Sequence, residues 1–399
     1  MDEKIRSDFP VLNREGKPII YLDSACQTLR PNQVIDKINE YYKEYPACGG
    51  RSLHKLGKMV DEKVIESRKR MQKFIGAKKS EEVIFTKNTT EGINIILNSL
   101  SLKSGDAVIT TDKEHNSVLL PVQFLAKRKG IEHKITKSND DGTFNLDKFQ
   151  ELLTPEVKLV SVVHTSNIDG FTNPAKEIVK AAHDNGSLVL LDGAQSVPHK
   201  EVDVKKLDVD FLAFSGHKMC GPSGTGILYG KYDLLKNMEP IFVGGETVSN
   251  STYTTSEMEN PPERFEPGLQ NYAGMVGLAE AARYLQKIGM DKIQRHDVEL
   301  NKYLTENARD LGLQILGPSD PGLRSGVFSF NIKGLDPHEI AIMLDHTNNI
   351  AVRSGMHCVH SWFNENEIKG SVRASMYFYN TKEEIETFIS TLKEIIKLR

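Results

Sequence analysis

Leu188-Val189-Leu190-Leu191-Asp192-Gly193-Ala194-Gln195 and Phe211-Leu212-Ala213-Phe214-Ser215-Gly216-His217-Lys218 are the two stretches that decide the fold. Each starts as a run of four apolar residues, too short for a helix and the right length for a buried strand. The first run ends in the carboxylate of Asp192. The second ends in a polar turn that carries the amine of Lys218. Working outward, residues 83–86, 107–110, 159–164 and 226–228 read as further strands. Amphipathic stretches at 61–74, 119–128 and 175–185 lie between them. This alternation predicts βαβ units, hence an α/β fold with a mostly parallel central sheet and helices on both faces. Ligands of such sheets bind beyond the carboxyl ends of the strands, where Asp192 and Lys218 fall.

Residues 246–262 are rich in Ser, Thr, Glu and Pro and read as a long loop or hairpin. Residues 273–288 read as a helix. From about residue 291 the pattern changes to long helices and short strands, including 327–332 and 381–396. The expected division is a large α/β domain over 18–288 and a small α+β domain built from 1–17 and 289–399. With 399 residues, 39% hydrophobic and 26% charged, the chain has ordinary globular composition. A net charge of −3 gives no basic surface for nucleic acid or an anionic membrane. The four cysteines show no CxxC spacing, which points to a reducing compartment. No apolar run is long enough to span a bilayer, and the charged N-terminus lacks a signal-peptide pattern. The expected location is the cytoplasm.

A lysine amine and a carboxylate at neighbouring strand ends suit pyridoxal phosphate (PLP). The amine condenses with the aldehyde, and the carboxylate pairs with the pyridinium nitrogen. The bland alternatives are a solvated lysine and an Asp192 that caps a helix. The glycine-rich stretch after Lys218 favours the functional reading, because it lets the backbone approach a ligand. Lys87-Asn88-Thr89-Thr90-Glu91-Gly92 opens a helix after a strand, so it can be an ordinary cap, a phosphate site, or both. Ser215 and His217 would add donors there. Gln195 could reach the phenolic oxygen of the cofactor. His115 follows the strand at 107–110 and could stack on the ring or shuttle a proton, although a lone histidine is more often structural. Cys358 lies in Arg353-Ser354-Gly355-Met356-His357-Cys358-Val359-His360, a setting that suits a reactive thiol. Its spacing to the histidines matches no zinc pattern, so no metal is expected. Arg373 could clamp a carboxylate, or could form a surface ion pair.

Thr89-Thr90-Glu91-Gly92-Ile93-Asn94, Ser215-Gly216-His217-Lys218 and Arg353-Ser354-Gly355, in this order, resemble group II cysteine desulfurases of the class V aminotransferase family. The likeness runs from Tyr21-Leu22-Asp23-Ser24-Ala25 to Tyr379-Asn380-Thr381-Lys382-Glu383-Glu384. It implies the PLP-dependent transferase fold of the aspartate aminotransferase type (fold type I) and a homodimer. It also implies conversion of L-cysteine to L-alanine, with the sulfur left as a persulfide on Cys358 for a sulfur-acceptor protein in Fe–S or other sulfur metabolism. By position, Lys218 and His115 join Cys358 as catalytic residues, with His115 stacking on the ring. Asp192, Gln195, Asn167, Thr90, Ser215 and His217 hold the cofactor. Asn167, Arg353 and Arg373 face the substrate. Selenocysteine lyase, or another class V lyase or aminotransferase, is the alternative; a non-catalytic scaffold is disfavoured by Lys218, Asp192 and Cys358. The chain departs from the family at Cys26, at Cys48 and at Met356. It also departs at Gly268-Leu269-Gln270-Asn271-Tyr272, where a partner threonine commonly contacts the phosphate. Cys26 and Cys48 are expected near the mouth of the site, as small packing residues or as a sulfur relay.

Overall fold

The computed structural model describes residues 3–398; Met1, Asp2 and Arg399 lie outside the described residues. Seven strands form the main sheet, in the order Val83–Thr86, Gly226–Gly230, Phe211–Ser215, Leu188–Asp192, Val157–Val163, Ala107–Thr111 and Glu132–Thr136. From Phe211–Ser215 to Glu132–Thr136 the neighbours run parallel. Gly226–Gly230 runs antiparallel to both of its neighbours. Residues 216–225 are too few for a parallel crossover, so the chain has to return beside the strand it has just left.

Period-two alternation explains why the strands look uniformly apolar. Leu190, Phe211 and Ala213 pack on one face with Ile93, Ile96, Val118 and Val122 from the helices Thr89–Ser99 and Asn116–Lys129. Leu191, Leu212 and Phe214 pack on the other face with Met71, Ile178, Leu278 and Leu285 from Lys55–Ile75, Ala175–Asp184 and Tyr272–Ile288. Both faces are covered, so every position must be apolar. The strand Glu132–Thr136 escapes that rule because it lies at the edge and shows polar side chains to water. Residues 246–262 contain the hairpin Val248–Ser251/Ser256–Met258.

A four-stranded antiparallel sheet follows, in the order Gln314–Ile315, Val327–Asn331, Ser371–Ser375 and Arg353–Gly355. Its core joins Phe328, Phe330, Val372 and Ala374 to Leu300, Leu344, Phe388 and Leu392. The last helix, Lys382–Lys397, starts at a capping box of Thr381 and Glu384. The N-terminal stretch contributes to both cores. Phe9 packs in the main core against Tyr284, Phe378 and Tyr379, whereas Ile20 and Leu22 belong to the second core. Ile20–Tyr21 pairs in parallel with Ile350–Ala351.

A buried ion pair ties the main sheet to the segment before Tyr272–Ile288. Arg68 Nη1 and Nη2 donate to Glu266 at 2.7 and 2.8 Å, and Phe85 N donates to the same carboxylate at 2.6 Å. Removing one partner strands a charge in the interior. Glu266→Ala should therefore lose about 3–5 kcal/mol in chemical denaturation. A loss below about 1 kcal/mol, the value of an exposed pair, would contradict this role.

Candidate active site

A cavity of about 450 Å³ opens where the carboxyl ends of Leu188–Asp192 and Phe211–Ser215 face the edge of the second sheet. Every residue expected at the site from sequence lines it, from Thr90 and His115 through Lys218 to Cys358 and Arg373. Asp192 closes its strand and is 3% exposed, with Oδ1 accepting from Ala194 N at 2.9 Å. Lys218 ends the short turn Gly216–Lys218, and its amine makes no hydrogen bond among the described residues. Burial pushes the Asp192 carboxyl up and the Lys218 amine down; their mutual attraction opposes both shifts, and Arg373 depresses the amine further.

The helix Thr89–Ser99 points its N-terminus at this cavity wall, capped by Asn88, which accepts from Glu91 N. Gly226 permits the approach: a Cβ there would sit 2.7 Å from Phe214 O and 2.8 Å from Asn88 Cα. Thr89 N and Oγ1 meet Ser215 Oγ at 2.8 and 2.6 Å. Thr90 Oγ1 contacts Ser117 Oγ at 2.7 Å, and Ser117 Oγ contacts His115 Nδ1 at 2.8 Å. Ser117 N also donates to Nδ1, so the neutral ring carries its proton on Nε2. Burial, then Lys218 and Arg373, lower the His115 pKa to about 3. His217 is lowered to about 4 by burial and Lys218, and its carbonyl accepts from Thr28 N at 2.9 Å.

Asp23 is the residue sequence reasoning missed. Its carboxylate takes Arg353 in a forked contact of 2.9–3.2 Å and reaches Arg373 Nη2 at 3.5 Å. The clue was its place in a matched motif, but its partners lie far along the chain. Arg373 is 2% exposed, donates to Asn167 O at 3.1 Å and keeps Nε without a partner. Asn167 Nδ2 donates to His357 O at 2.8 Å, and Cys358 O accepts from Asn116 N at 2.8 Å. These bonds hold His357 and Cys358 at φ of 48° and 59°, a left-handed conformation that costs a non-glycine residue about 1–3 kcal/mol. The Cys358 side chain is exposed at the cavity mouth. Gln195 spends its amide nitrogen on Ala25 O at 2.6 Å, which anchors a neighbouring wall.

The donor set fits PLP. A free lysine amine and a buried carboxylate sit on adjacent strand ends, and a helix N-terminus with hydroxyls stands ready for a phosphate. Asn167 Oδ1 is buried without a partner, so the cavity still holds an unanswered polar atom.

Residues 20–388 match the family profile described as Aminotransferase class-V. The chain belongs to this family. A probable cysteine desulfurase of Synechocystis is 40% identical over 98% of this chain and 95% of that protein. A cysteine desulfurase of Haloferax volcanii is 38% identical over 98% and 96%. The apo structure of a cysteine desulfurase from Thermococcus onnurineus superposes with a TM-score of 0.96 at 40% identity, covering 100% of this chain and 99% of that one. An Escherichia coli cysteine desulfurase in S-sulfonic acid form gives 0.92 at 28%, with the same coverage. The architecture of this α/β chain is thus the one those class V enzymes share.

His115 stays neutral in the fold, whereas its unfolded imidazole gains a proton below about pH 6.5. Its stabilising contribution is present above that pH and is lost as the pH falls toward 3. Denaturation of the parent and of His115→Gln at pH 5 and 6.5 isolates this group. The difference should move toward the parent as pH rises, by on the order of 1 kcal/mol per unit. A pH-independent difference would show that His115 is not held neutral.

Proposed function

We propose that the chain is a PLP-dependent cysteine desulfurase that converts L-cysteine to L-alanine and leaves the sulfur as a persulfide on Cys358. One observation carries this reading: Lys218 and Asp192 meet at adjacent strand ends, and Cys358 lines the same cavity. Lys218 would hold the cofactor aldehyde and Asp192 the ring nitrogen. Thr90, Ser215 and His217 would surround its phosphate, and His115 would cover its ring. When bound, PLP supplies a sink for the electrons released at the substrate α-carbon.

The chain's own residues do the rest. Arg373, with one nitrogen unpartnered, takes the substrate carboxylate, while Asp23 fixes Arg353 beside it. The Lys218 amine, with its proton affinity reduced by burial, removes and returns the α-proton at neutral pH. Cys358 Sγ attacks the substrate sulfur: the Sγ–S bond forms as the substrate C–S bond breaks, and the freed carbon is protonated. Asn167 keeps the Cys358 turn in place through His357 O.

An exposed persulfide on Cys358 suits delivery to a sulfur-acceptor protein. A homodimer fits the exposed apolar side chains Phe242, Val243, Tyr253 and Leu269 on a segment closed by the Gly268 N–Gly245 O bond of 2.8 Å. Four free cysteines suit a reducing cytoplasm, and no helix among the described residues is long and apolar enough to cross a membrane. The cavity between the two sheets also fits a division into a large and a small domain near residue 288.

Alanine release from L-cysteine tests the reading. Lys218→Ala should lose the visible absorbance of bound PLP and at least about 10²–10⁴-fold of the activity. Cys358→Ser should keep the absorbance and lose desulfuration. Full alanine formation by Cys358→Ser would place the nucleophile elsewhere.

A further inference from the structure

Cys26 and Cys48 both depart from the family pattern, and the structure separates them. Cys48 is exposed and lies outside the cavity, with Sγ 3.5 Å from Gly49 O. Cys26 is half-buried in the cavity wall, in company with Lys218, Arg353 and Cys358. Its position is fixed from both sheets. Ala25 N donates to Ser375 Oγ of the small sheet at 2.9 Å, and Ser24 Oγ contacts Tyr379 OH at 2.8 Å. Gln195 Nε2 donates to Ala25 O and Thr28 N to His217 O, both on the main-sheet side. The two thiols therefore line one cavity but differ in exposure: Cys358 is exposed and Cys26 is half-buried.

We propose that Cys26 is a second sulfur carrier, which takes the outer sulfur of the Cys358 persulfide and stores it inside the cavity. This inference rests on the desulfurase reading of the same site. The Cys26 thiolate attacks the outer sulfur. A bond forms between Cys26 Sγ and that sulfur, the sulfur–sulfur bond to Cys358 breaks, and Cys358 leaves as a thiolate. The proton of the persulfide stays with the transferred sulfur. The exchange is redox-neutral and needs no oxidant. It frees Cys358 for a second substrate, and it holds the first sulfur where bulk water and stray thiols reach it less easily.

The test is a burst experiment on the full PLP-loaded enzyme, with L-cysteine and with neither reductant nor acceptor present. Alanine is counted per chain, and the sulfur is located by peptide mass spectrometry. The parent should release roughly two alanines per chain and carry persulfide on both Cys26 and Cys358. Cys26→Ala and the near-isosteric Cys26→Ser should each stop near one, with sulfur on Cys358 alone. A parent burst of one with no sulfur on Cys26 would overturn the proposal. Sulfide release with a Cys26–Cys358 disulfide would also overturn it, because the inner sulfur would then be the one attacked. No alanine and no sulfur on either cysteine would instead remove the desulfurase reading beneath it.

Discussion

The register Leu190↔Phe211, Leu191↔Leu212, Asp192↔Ala213 is the constraint on which the site depends. It sets Asp192 level with the end of the strand whose continuation bears Lys218. A slip of one residue would turn Asp192 to the opposite face of the sheet and send Leu191 toward the ligand. Burial on both faces prevents that slip, because Leu190 and Leu191 are each committed to a different packed layer. The same burial makes both charges costly. Carboxyl and amine are each pushed toward neutrality, and each is eased by the other. A lysine whose amine is pushed toward neutrality suits proton transfer.

The second sheet completes what the first begins. Asp23 sits between the arginines of two of its strands, so one carboxylate orients both Arg353 and Arg373. Asn167 links Arg373 to the Cys358 turn, accepting from the first through its carbonyl and donating to the second through its amide. The left-handed backbone at His357 and Cys358 is therefore held by neighbours on both sides. This cavity wall is a chain of positioned groups that runs from the N-terminal segment through the sheet to the thiol.

Much of this was legible in the sequence for a simple reason. Strands buried on both faces read as unbroken apolar runs, and ligand-binding residues cluster where those runs stop. Leu188–Asp192 and Phe211–Ser215 are the clearest cases. The edge strand Glu132–Thr136 was illegible because its solvent-facing charges erase the apolar run. The antiparallel return at Gly226–Gly230 was implicit in the shortness of residues 216–225, but a run of apolar letters carries no direction. The core that Phe9 joins and the core that Ile20 joins were illegible because their partners, such as Tyr379 and Ile350, are distant in sequence. At the site, residue types marked which positions line the cavity, while long-range contacts set their hydrogen-bond partners. Gln195 and Asn167 each commit an amide to a neighbouring backbone carbonyl, and Asp23 acts only through arginines more than three hundred positions away.

The central claim is that the Lys218–Asp192 juxtaposition makes this cavity a PLP site. Reductive trapping tests it most directly. The purified chain is loaded with PLP, treated with borohydride, digested and mapped by mass spectrometry. The rival lysine is Lys200, half-buried like Lys218, with its pKa lowered to about 8. The account predicts a pyridoxyl-phosphate adduct on the Lys218 peptide and none on Lys200. A stoichiometric adduct on Lys200 or on any other lysine, with Lys218 unmodified, would contradict it.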